Sequence, residues 1–280
     1  LSLVYLPHLD YNLQRVGLKR DAIAQDLREI DAVVGDLIRF YEHRNVRVVL
    51  LSEYGITDVD RPVHLNRVFR QKGWLSIKDE LGRDGLDEGA CRVLAIADHQ
   101  LAHVYVRDES LLGEVREVLE QTPGVQQVLG KAEKYYAGLD HARSGDLVAV
   151  ADARSWFTYY FWDDDRRAPD YARTVDIHRK CGYDPVELFL DPTLRYPKVK
   201  VGWKLALKLL GQRMLMDVIP LDANLVRGSH GRVPEDPADW PLLCGDFREL
   251  PRSGVVAAHE VCRHLYELCS RSSGYQGVGL

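Results

Sequence analysis

The chain has 280 residues, enough for one large α/β domain or two small ones, and its 46% hydrophobic and 28% charged content is that of an ordinary globular protein. A net charge of −5 argues against a protein that coats nucleic acid, while leaving room for a local basic cleft. No apolar run has the length of a transmembrane helix and no signal peptide is present, so a cytoplasmic protein without a membrane anchor is expected. Cys91, Cys181, Cys244, Cys262 and Cys269 form no C-x-x-C pair, which argues against a disulfide framework and a cysteine zinc site. Cys262 and Cys269, seven apart on a helix, are expected as two buried thiols on one face.

The opening "LSLVYLPHL" reads as a strand. A chain that starts on a core strand without methionine leads us to expect sequence upstream of Leu1. Ile23, Leu27, Ile30, Val34, Leu37 and Tyr41 repeat at helical spacing and predict a helix from about Lys19 to Arg44. "VRVVLLS" is β-branched and wholly apolar, as a buried parallel strand is. Pro62 suits the first turn of a helix running to about Gln71. In "RVLAIADHQLAHVYVRD" two apolar runs are split by a polar turn at Asp98–His99. A helix is expected from Leu111 to Gln121, before Pro123 and Gly124, with strands over 147–151 and 156–161.

From Asp163 to Pro197 the chain is rich in charge, Pro and Gly, and its interspersed Tyr171, Ile177, Tyr183, Leu188 and Phe189 predict an ordered excursion. "RGSHGRVPEDPADWP" reads as a loop, and a last helix is expected from about Val255 to Cys269. The alternation of apolar strands and helices predicts an α/β fold with a largely parallel central sheet, helices on both faces and a loop-rich subregion around 163–240. Residues 1–280 are taken as a single domain.

Three segments that follow apolar runs carry metal-ligand chemistry: "PHLDYNLQRVG" with His8, Asp10 and Gln14, "SEYG" with Glu53 and Tyr54, and "GSHG" with His230. In open α/β sheets, ligands bind beyond the carboxyl ends of the strands, where oxygen and imidazole groups can converge on a cation. Each residue also has a plainer reading. Asp10 can cap a turn, Glu53 can pair with Arg61, the Tyr54 ring can pack, and His230 can belong to a turn. His99 and His103 are read as turn and strand residues. Asp176 and His178 share one side if extended, as substrate or supporting residues. Lys198, Lys200, Lys204 and Lys208 read as a solvated basic face.

Taken in order, the three segments resemble the nucleotide pyrophosphatase/phosphodiesterase family of the alkaline phosphatase superfamily. That family holds two metal ions with an Asp followed four residues later by a His and then a Gly, an Asp-His pair in an "SDHG" turn, and a late His in "GTHG". Asp10, Gln14 and Gly17 match the first motif in spacing, "LLSEYGI" the second and "GSHG" the third. Gln14 stands where the family has His, and Glu53 and Tyr54 stand where it has Asp-His.

The resemblance implies two divalent cations held by Asp10, Gln14, Glu53, Tyr54 and His230, drawn from Zn, Mn, Mg or Fe. The oxygen-rich set is less suited to Zn²⁺ than to the others. It implies hydrolysis of a phosphodiester, pyrophosphate or related phosphoester bond in a small phosphorylated substrate. The family's Thr or Ser nucleophile has no counterpart in this chain, so no catalytic residue is assigned. With three of five ligand types changed, the alternative is an inactive phosphatase-like binding or scaffold protein.

Overall fold

The computed structural model describes residues 1–245 and 254–272. In chain order the elements are α1 (His8–Val16), α2 (Arg20–Glu42), β1 (Leu50–Leu51), β2 (Thr57–Asp58), β3 (Arg61–Val63), α3 (Leu65–Gln71), β4 (Ile77–Glu80), β5 (Arg83–Leu86), β6 (Val93–Asp98) and β7 (Leu101–Val106). They continue with α4 (Leu112–Gln121), β8 (Val125–Leu129), α5 (Lys131–Tyr136), β9 (Leu147–Ala151), β10 (Ser155–Phe157), α6 (Pro197–Leu209), β11 (Gly228–Ser229), β12 (Leu243–Cys244) and α7 (Val261–Ser272). The fold is mixed α/β.

The central feature is a four-stranded sheet in the order β6-β7-β9-β8, antiparallel throughout. A largely parallel sheet was expected. Among the described residues the parallel pairings are β3 with β10 and a bridge between Ala97 and Gly182. The apolar runs that suggested parallel strands are instead the two arms of a hairpin and its neighbours. In register, Val93 faces Val106, Ala95 faces Val104 and Ala97 faces Ala102, and all six are buried. One face of the hairpin therefore enters the core by strict alternation. Val115 and Leu119 of α4 are fully buried with that core.

β6 is an edge strand, and its free backbone groups are satisfied locally. Asn66 of α3, wholly buried, donates from Nδ2 to the Ala95 carbonyl at 2.9 Å and accepts from the Ala95 N–H at 2.8 Å. Further along, the Tyr183 N–H donates to the Ala97 carbonyl at 2.9 Å. The excursion from Asp163 is thus ordered and lies along the sheet edge. Tyr171 is buried in it, although Ile177 is exposed. The heart of the core is aromatic, with Trp156, Phe157, Tyr159, Tyr160, Phe161 and Trp162 all buried.

Several sequence expectations change. Residues 1–6 form no strand; Leu1, Leu3 and Tyr5 are exposed, and helix begins at His8. Among the described residues, "VRVVLLS" forms a strand only at Leu50–Leu51, antiparallel to β12. Pro62 sits in β3 and the helix starts after it, because Pro tolerates a short edge strand as well as a first turn. The strand expected over 156–161 closes at Phe157. Cys262 and Cys269 are exposed on α7, not buried. Lys200 and Lys204 do not form a free basic face, since both bind Asp217, at 3.1 and 2.8 Å.

Candidate metal centre

Asp10 and Gln14 lie one turn apart in α1, so both project from the same face of that helix. The sequence placed them on a loop after a strand; they are on a helix. Gly17 ends α1 with φ +72°, and a Cβ there would meet the Asp58 carboxylate. The C-terminal end of α1 is tied to the strand that carries the late histidine, since the Arg227 N–H donates to the Gln14 carbonyl at 2.8 Å.

β11 pairs with β2, with Ser229 opposite Thr57, and this register sets His230 beside the turn that follows Glu53 and Tyr54. Gly55 in that turn passes so close to the Asp239 carbonyl that no Cβ would fit. The Gln100 N–H donates to the His230 carbonyl at 2.8 Å, which pins His230 to the tip of the β6–β7 hairpin.

Four rings then form a column. Tyr54 stacks on His230 with centroids 3.6 Å apart and planes 7° from parallel. His99 covers the other face of His230 at 3.8 Å, and Tyr183 covers His99 at 4.4 Å. Asp10 lies beside this column. Its Oδ1 accepts from Gln14 Nε2 at 3.0 Å, and His230 Nε2 stands 3.9 Å from Oδ1. The Tyr183 hydroxyl reaches Gln14 Oε1 at 3.5 Å.

Burial governs the protonation of the column. It lowers the pKa of His230 against the opposing charges of Asp10, Asp98 and Glu53, and it drives His99 down to about 3 with help from His230. Burial raises the phenols of Tyr54 and Tyr183, and the Asp10 charge adds to both. At neutral pH the imidazoles are therefore neutral and the phenols protonated.

Asp10, Gln14, Tyr54 and His230 are thus brought together. Glu53 is exposed, and its charge is felt by Tyr54 and His230. It does not pair with Arg61, which binds Asp152 at 3.1 Å. His230 Nε2 is buried with no hydrogen-bond partner, 3.9 Å from a carboxylate oxygen, too far for a hydrogen bond. A neutral imidazole lone pair facing a carboxylate fits a divalent cation in chemical type. Gln14 presents its nitrogen to Asp10 and its oxygen to Tyr183, so it orients Asp10 in this arrangement.

His99 and Tyr183 belong to the centre and were not assigned to it from sequence. The turn reading of Asp98–His99 holds, and His99 takes φ +57° in it. Nothing in "ADHQL" signals that the ring folds back onto a histidine more than a hundred residues away. His103 lies in β7 and accepts from the Gly145 N–H at 3.2 Å. His178 is exposed on the excursion.

Residues 1–184 match the family described as type I phosphodiesterase / nucleotide pyrophosphatase. The chain belongs to that family. Among solved structures, murine ectonucleotide pyrophosphatase / phosphodiesterase 5 is similar at 20% identity over 55% of this chain and 38% of that one, with a TM-score of 0.40. Its human counterpart gives 18% identity, the same coverage and the same TM-score. Phosphonoacetate hydrolase from Sinorhizobium meliloti 1021 gives 16% identity over 57% of this chain and 38% of that one, with a TM-score of 0.33. This family member thus spans well under half the length of those structures, and likenesses so slight carry no argument about its site. No curated protein matches the chain. No helix among the described residues is long and apolar enough to cross a membrane.

Proposed function

We propose that this chain supplies the cation-binding wall of a phosphoester hydrolase acting on a phosphodiester or pyrophosphate. The observation that carries this reading is the buried, unpartnered Nε2 of His230 facing Asp10 at 3.9 Å, in a chain whose residues 1–184 match the family. Asp10 and His230 would hold the cation, with Glu53 as the nearby second carboxylate. Gln14 and Tyr54 occupy the remaining family positions.

A bound divalent cation would neutralise charge on phosphoryl oxygens and make coordinated water acidic. The chain's own residues prepare the site. Burial keeps His230 neutral, so its lone pair is available. Gln14 fixes the Asp10 carboxylate, and the stack of Tyr54 and His99 fixes the imidazole plane.

The inactive alternative is kept as the competing reading, since Asp10 already accepts from the neutral Gln14 amide. Titration with Mn²⁺ and Zn²⁺, on the wild type and on Asp10→Asn and His230→Ala, separates the two. The hydrolase reading expects saturable binding in the wild type, lost at this centre in both variants, and hydrolysis of an activated phosphodiester that depends on the same residues. Unchanged binding in both variants would leave the inactive, binding-protein reading.

A further inference from the structure

Away from the ring column, α1 presents a second pair of side chains. His8 and Asn12 are one turn apart, like Asp10 and Gln14, but on the face that meets α2. There His8 Nε2 lies 3.7 Å from Asp26 Oδ1 and 3.6 Å from Glu29 Oε2. Asp26 and Glu29 are three apart on α2 and so share one face. Among the described residues this is the group of His, Cys, Asp and Glu side chains whose ligand atoms converge, all within 4.8 Å of one another.

The distances choose between two explanations. An imidazole hydrogen-bonded to a carboxylate sits at about 2.7–3.2 Å, and neither contact is that short. Ligands around a tetrahedral first-row cation, with bonds of about 2.1 Å, stand roughly 3.4 Å apart. The two His8 contacts are close to that spacing and longer than hydrogen bonds. Two like charges at i and i+3 on one helix repel unless a positive group stands between them. Asp26 is also oriented, because its Oδ2 accepts from Asn12 Nδ2 at 2.5 Å while Oδ1 faces His8 and Glu29. A metal-ligating carboxylate held in place by an amide is a common supporting arrangement.

We propose that His8, Asp26 and Glu29 form a second cation site, for a first-row transition ion such as Zn²⁺ or Co²⁺, with water completing the shell. Its role is structural: it clamps α1 to α2 and so steadies the helix that carries Asp10 and Gln14. The site is separate from the Asp10–His230 centre and stands whether or not that centre binds metal.

The test is titration of the full chain with Co²⁺, followed by its visible d–d absorption, and with Zn²⁺, followed by calorimetry and thermal unfolding. His8→Ala and Glu29→Gln should each weaken one equivalent of binding by about 10-fold or more, and should abolish the Zn²⁺-dependent rise in unfolding temperature. Asp10→Asn should leave that equivalent in place. Both variants fold on an exposed surface, which circular dichroism without metal checks. If His8→Ala binds the same number of Co²⁺ and Zn²⁺ ions with the same affinity as wild type, the site is a solvated ion pair and the proposal is wrong.

Discussion

Tyr54 bears on the centre through its ring and its hydroxyl. The ring stacks on His230, and the Asp10 charge acts on the hydroxyl. Burial and the Asp10 charge hold the phenol protonated, so as a ligand it would have to lose its proton to the cation. Tyr54→Phe removes the oxygen and keeps the stack. If Tyr54 ligates, as the family resemblance implies, metal affinity at the Asp10–His230 centre falls about 10-fold or more. If Tyr54 serves only as a stacked ring, affinity stays level, and titration of the two proteins distinguishes these results. His64 offers a test of electrostatics outside the site. Its ring is largely buried, bonded to Thr158 Oγ1 at 2.7 Å, and burial with the Arg67 charge lowers its pKa to about 4. Its unfolded value is near 6.5. Between those values the unfolded chain takes up a proton that the folded chain refuses, so stability is full above about pH 6.5 and is lost as pH falls toward 4. His99 acts with the same sign. The denaturant midpoint should therefore drop from pH 7 to pH 4.5, and His64→Gln should shrink that drop. An unchanged pH dependence in the variant would show that His64 is solvated.

At the scale of elements, the excursion along the sheet edge is anchored by a buried charge cluster. Lys180 Nζ meets Asp184 Oδ2 at 2.8 Å and Glu187 Oε1 at 2.5 Å, and Lys180 and Asp184 are almost wholly buried. Burial raises the Asp184 pKa, Lys180 opposes it, and the Glu187 charge adds to the rise. Lys180→Met strands two carboxylates without a counter-ion and should cost about 3–5 kcal/mol in urea unfolding, while replacing all three by apolar residues should recover most of that loss. A small effect of Lys180→Met would mean that water reaches the carboxylates.

The cluster was not legible in the sequence, where "HRKCGYDPVEL" reads only as a charged, turn-rich stretch. Legibility followed local chemistry. The two strands β6 and β7 were readable because Asp98 and His99 split two apolar runs, though not their antiparallel pairing, and α2 was readable because its apolar residues recur at helical spacing. Residues 1–6 and "VRVVLLS" were misjudged because apolar composition alone cannot say whether a strand finds a partner. The three metal motifs were readable as spacing, and Asp10, Gln14, Tyr54 and His230 do meet. His99 and Tyr183 joined them through tertiary pairing, the hairpin tip touching His230 and the excursion touching β6, which no local pattern carries.

Across the whole molecule, burial is unevenly distributed. Among the described residues, the core cluster draws on β3, α3, the four-stranded sheet, α4, β10 and the aromatic run to Trp162, with none from α1, α2, α6 or α7. α2 runs for 23 residues, none of its described side chains is buried, and Leu27, Val33 and Phe40 are exposed on it. α6 exposes Val199, Trp203, Leu205 and Leu209. Helices of this length are marginal in water when tertiary burial does not support them. Amide exchange should therefore split into two classes. Amides of β6, β7 and β9 should open only with global unfolding, while those of α2 and α6 should open locally at a clearly lower free energy. Hydrogen exchange read by mass spectrometry on peptic fragments resolves the two classes, and equal protection in α2 and β7 would refute the division. The same experiment reports on the cation inferred between the helices. With Zn²⁺ added, protection should rise in the fragments carrying His8 and Asp26–Glu29 and stay unchanged in α6, since only α2 gains a clamp to its neighbour. A rise in both helices would instead indicate general stabilisation by metal bound elsewhere.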